Sequence, residues 1–181
     1  MFFAHWRARR ANRRLIDQIH GEIVAAARAP VLYRQAGVAD TIEGRFEMVA
    51  LHAALAARRL LALGPSGAEM AQALVDRVFH GFEDALREMA IGDAGVARRI
   101  KAMAGDFAGR SRAYGAALDS ADEAALAAAL ARNVYGASTA SPEAHGLARR
   151  VAAAAAALDR TPYEDFAAGC FRFPPAEGEA R

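Results

Sequence analysis

Cysteine is almost absent: Cys170 stands alone in 181 residues. One thiol closes no internal disulfide and builds no thiolate metal cluster, so a reducing compartment is the expected setting. An excess of one charge is missing too. There are 23 basic and 21 acidic residues, a net charge of +2, which gives no overall bias toward nucleic acid. Lys101 is the single lysine, and the dominance of arginine and alanine fits a GC-rich coding sequence better than any chemistry. No apolar run approaches the ~18 residues a transmembrane helix needs. The alanine-rich segment 151–158 is too short and only weakly apolar. The first residues, MFFAHWRARR, contain no secretory apolar core. The expected location is cytoplasmic, or peripheral at the inner face of the cytoplasmic membrane.

Catalytic patterns are missing as well. No two histidines have i, i+4 spacing, and neither HExxH nor ExxH occurs. GDAGVARR lacks the spacing of a phosphate loop and follows a helical pattern rather than a strand. Cys170 has no local nucleophile signature. Metal and cofactor are therefore expected to be none, and the chain is not expected to be an enzyme. Alternating strand patterns are also absent.

What is present has helical period. Leu15, Ile16, Ile19, Ile23 and Val24 share one side of a first helix closed by Pro30. VLYRQAG predicts one or two turns ended by Gly37. Asp40 and Glu43 resemble a capping box ahead of a helix from about Thr41 to Leu63, which GPSG then breaks. Further stripes predict helices over about 68–89, with Leu74, Val78, Phe82 and Met89, and over about 94–118, with Val96, Ile100, Phe107 and Tyr114. Asp93 is the expected cap of the second. Its glycines, Gly105, Gly109 and Gly115, suggest either close helix packing or a break near Gly109. Asp122 and Ser141–Pro142 open two more helices, and TPYE a short last one. The expectation is one all-α domain of six to seven helices. Residues 1–29 form a basic, aromatic first segment, 30–168 the helical body and 169–181 a tail.

Two features invite a functional reading. Phe2, Phe3 and Trp6 precede Arg7, Arg9, Arg10, Arg13 and Arg14, with no acidic residue among the first fourteen. Aromatics beside arginines suit an anionic membrane surface, and a frayed basic start is the equal alternative. Arg98, Arg99, Lys101, Arg110 and Arg112 form a second basic set, ordinarily a solvated face. The second feature is GRFEMVALHAAL, residues 44–55. There His52 sits with Met48 and Leu55 on a second apolar face, as a ligand, a base or a polar anchor in a contact surface.

FEMVALHAALAARRL, GDAGVARRIKAMAGDFAGRSRAY, LAAALARNVYG and the Leu147–Leu158 helix resemble, in order and spacing, the ubiquinol–cytochrome c chaperone family. The likeness covers roughly residues 30–165, and the chain looks like the compact bacterial form. The resemblance implies an all-helical assembly factor for the cytochrome bc complex. Such a factor holds newly made cytochrome b, or an early intermediate containing it, without ATPase or other chemistry. It also implies a client surface with an apolar floor and polar edge. Tyr33, Phe46, His52, Phe79, Phe107, Tyr114 and Tyr135 are its candidate liners, although core packing is the ordinary fate of each aromatic. Two other classes remain open. An all-α DNA-binding regulator would need an early helix-turn-helix, which residues 10–37 fit poorly. A helical enzyme or small-ligand carrier would need a carboxylate beside His52 in a closed pocket.

Overall fold

Proline and capping side chains set the helix boundaries. The computed structural model describes the backbone of residues 2–175 and the side chains of residues 12–175. Eight helices follow in order: α1 Phe2–Ala27, α2 Pro30–Arg34, α3 Ile42–Ala62, α4 Pro65–Glu88, α5 Asp93–Asp119, α6 Glu123–Val134, α7 Pro142–Leu158 and α8 Tyr163–Ala167. Two of these, α2 and α8, are only 5 residues long. The described residues contain no strand, so the chain has the all-α fold its periodicity implies.

Several expected caps form. Thr41 Oγ1 accepts the Gly44 amide at 3.1 Å, Asp122 the Ala125 amide at 2.8 Å and Ser141 the Ala144 amide at 3.3 Å. Each satisfies an amide that the first turn leaves without an intrahelical partner. Other boundaries differ. GPSG is not a loop: Gly64 takes φ +86° and α4 starts directly at Pro65, whose missing N–H costs nothing in a first turn. Asp93 lies inside α5, after Gly92 as cap, where its negative charge suits the helix dipole. Pro162, without a side-chain cap, precedes α8. Helix α5 runs unbroken past Gly109, and nothing packs within 4 Å of where side chains at Gly105, Gly109 and Gly115 would begin.

Helix α3 is central and packs against α1, α4, α5, α6 and α7. Its Met48, Ala53, Ala56 and Leu60 are fully buried, and its alanines let neighbours approach closely. The start of α3 is tight. A Cβ on Gly44 would collide with the Ala39 carbonyl oxygen. Alanine usually gains about 1 kcal/mol over glycine inside a helix. Here Gly44→Ala is expected to lose about 1–3 kcal/mol instead, because backbone has to move. Urea unfolding checks the sign; a gain in stability would mean that the turn relaxes freely.

At the far end of α3, Arg58 reaches Asp119 at 2.7 Å and Asp159 at 2.9 Å, joining the ends of α5 and α7. Arg59 Nε donates to the Thr161 carbonyl at 2.9 Å. The core then extends into the segment read as a tail. Phe171 stacks on Phe166 with centroids 4.6 Å apart, and Phe171 and Phe173 are both buried.

Candidate functional site

The candidate liners divide among several places. Phe46 of α3 meets Phe82 at 5.0 Å, Phe82 meets Phe79 at 5.7 Å and Phe79 meets Phe107 at 5.6 Å. Three expected liners thus form one aromatic run across α3, α4 and α5. Phe82, read only as a stripe residue, is its missing link. Beside it the Arg110 guanidinium pairs with Glu47, and burial still holds the Glu47 carboxyl above its usual range.

The tyrosines do other work. Tyr33 Oη donates to the Ala27 carbonyl at 2.7 Å, and Tyr135 Oη to the Ala36 carbonyl at 2.5 Å. Tyr114 is buried, and its hydroxyl accepts from Asn133 Nδ2 at 3.0 Å. Burial pushes the phenols of Tyr114 and Tyr135 up to about 12. These groups stay neutral and fasten α2, α5, α6 and the connections around them.

His52 has a partner that decides its tautomer. Nδ1 lies 2.7 Å from the Met48 carbonyl, which can only accept, so Nδ1 carries the proton. Phe173 tilts against the ring with centroids 4.9 Å apart. Burial lowers the imidazole from 6.5 to about 4. It is neutral at physiological pH. Glu47, which could have made it a catalytic pair, turns to Arg110 instead.

Two of the open grooves take in candidate liners. One, about 490 Å³, has Leu51, His52 and Leu55 of α3 at its floor, Ala25 and Ala26 of α1 on one side and Ala153 and Ala154 of α7 on the other. Phe173 and the two prolines after it close one end. The other groove, about 390 Å³, runs between α1, α3 and α4. Val24, Val49, Val78 and Phe82 supply its apolar lining, with Phe46 beside them. His20, Arg28, Arg45 and Glu88 give it a polar edge. Burial, then the nearby Arg77, lowers the His20 imidazole.

Ile42 and Met89 line this second groove and are 45% and 42% exposed. Among the described residues only Leu61 joins them as a large exposed hydrophobic side chain. Neither was expected in the site. Both sit at the end of an apolar stripe, and that was the available signal: the stripe outruns the helices that could cover it. Of the candidate liners, Phe46 belongs to this groove and His52 to the other. Arg13 and Arg14 are exposed on α1, while Phe2, Phe3, Trp6, Arg7, Arg9 and Arg10 lie outside the described side chains.

Comparison with known proteins places this helical body among protein chaperones. Residues 34–173 match the family model for the ubiquinol–cytochrome C chaperone. The crystal structure of the Cbp3 homolog from Brucella abortus superposes with a TM-score of 0.85 at 37% identity, covering 99% of this chain and 100% of that one. No curated protein matched. The chain belongs to the ubiquinol–cytochrome c chaperone family.

Proposed function

We propose that this chaperone binds newly made cytochrome b, or an early bc-complex intermediate containing it, and promotes assembly of ubiquinol–cytochrome c reductase. It acts without catalysis or cofactor, as a peripheral protein at the inner face of the cytoplasmic membrane. Family membership supports the chaperone role. The observation that carries the client reading is the α1/α3/α4 groove, where two large exposed hydrophobics flank an apolar floor with a charged edge. That shape suits one face of an apolar helix, which needs cover until its partners arrive. Phe2, Phe3, Trp6 and the arginines from Arg7 to Arg14 add a weak attraction to anionic lipid.

Ile42→Glu and Met89→Glu are expected to weaken capture of cytochrome b roughly 10- to 100-fold each, the equivalent of about 1.5–3 kcal/mol for one buried apolar side chain. Both positions are exposed, so thermal unfolding stays close to that of the native chain. Co-purification with newly made cytochrome b checks this, and unchanged capture in both variants would remove the groove as the client site. A deletion strain tests the function itself. Normal cytochrome b level, haem content and complex III activity without this protein would overturn the reading.

A further inference from the structure

Helix α5 is the longest helix described, 27 residues, and only Val96, Tyr114 and Ala117 of it are buried. Its inward side carries Val96, Ile100, Met103, Phe107 and Tyr114 at helical spacing. At about 100° per residue, Arg98, Lys101 and Arg112 fall within an arc of about 60° on the opposite side, spread over about 21 Å of helix. All three are exposed, as is Arg99 on the flank. Residues 94–105 contain no acidic side chain.

The fold pairs the cations it uses for packing. Arg58 holds Asp119 and Asp159, and Arg110 holds Glu47 and Asp106. Among the described residues, Arg98, Arg99, Lys101 and Arg112 have no such partner. Solvent is the ordinary fate of such a row, but two neighbouring features distinguish this one. The corner leading into α5 exposes Met89 and leaves Ile91 half-buried, an apolar step beside the charges. Between the cations stand Ala102, Gly105 and Gly109, with open space above both glycines, so no bulky side chain separates the cations along this line.

We propose that the outward face of α5, with the Met89–Ile91 corner, docks this protein on an anionic bilayer. The guanidinium and ammonium groups meet lipid phosphates, and the corner enters the headgroup layer. Charge complementarity alone would also admit a nucleic acid. That partner is disfavoured because the aromatics of α5, Phe107 and Tyr114, face inward and no ring stands between the cations to stack a base. Met89 also lines the α1/α3/α4 groove, so the corner adjoins that groove. The proposal deepens the peripheral-membrane part of the function proposed above and is independent of the client, since vesicle binding needs no cytochrome b.

The test is flotation of the full chain with phosphatidylcholine vesicles, with and without phosphatidylglycerol, at low and high salt. The native chain is expected to float only with the anionic vesicles and to be released by salt. Each cation removed weakens binding about fivefold, so Arg98→Gln, Lys101→Gln and Arg112→Gln together cost roughly a hundredfold. Replacing Arg98 and Arg112 by lysine keeps the charge and keeps the binding, which separates charge from a folding defect. The proposal is overturned if the triple glutamine variant floats like the native chain, in which case the contact lies elsewhere, for example in the first fourteen residues. It is equally overturned if neutral vesicles bind as well, or if single-stranded RNA at the same salt competes the protein off the vesicles.

Discussion

Phe171→Ala is expected to lower the free energy of unfolding by about 3–5 kcal/mol, the cost of truncating a buried phenylalanine. The side chain is 2% exposed and lies face to face with Phe166, which is wholly buried. It also meets Phe173 edge-on at 6.3 Å. Truncation therefore removes a transfer term, an aromatic pair on each side and the filling of the space between them. The surroundings have little freedom to collapse, because α8 is only 5 residues long and is held through this stack. Gly169 takes φ +70° just before, so the chain enters the segment through a turn that glycine makes at no steric cost. Urea unfolding of the variant measures the effect. A loss below about 1 kcal/mol would mean that the segment after α8 is a loose end resting on the surface.

That segment shows where the sequence was legible and where it was not. Long stripes with caps were readable, because period and capping chemistry are local: Ser141–Pro142 and Asp122 each announce a helix start. Phe171 and Phe173 were not. Two aromatics in a short run before Pro174 carry no period, and their burial depends on a space that α1, α3 and α8 leave at a distance in sequence. The same limit applies to the site. The aromatic run from Phe46 to Phe107 could be suspected residue by residue, but Phe82 looked like any stripe member until α4 was laid beside α3. Ile42 opens α3 and Met89 caps α4, and both stay exposed at those helix ends. Local pattern says which face is apolar; the relative lengths of packed helices decide how much of it stays uncovered.

His52 makes the stability of this protein sensitive to acid. Its folded-state value of about 4 lies below the ordinary 6.5, so folding favours the neutral ring and the unfolded chain binds the proton more readily. The contribution is fully present above about pH 6.5 and is lost as the pH falls through about 4. A gap of that size corresponds to about 3 kcal/mol at 1.36 kcal/mol per unit. The cause is local. Nδ1 is already committed to the Met48 carbonyl, and Phe173 tilts against the ring. His52→Leu, similar in volume and free of titration, is expected to remove about 3 kcal/mol of the stability difference between pH 7 and pH 4. His20 is lowered as well, by burial and by Arg77, and acts in the same direction, so a smaller acid slope remains in the variant. Urea unfolding across this pH range gives the difference, and an NMR titration of the imidazole protons gives its origin. A His52 ring that titrates near 6.5 in the folded protein would show that water reaches it, and the acid sensitivity would then have to come from elsewhere in the fold.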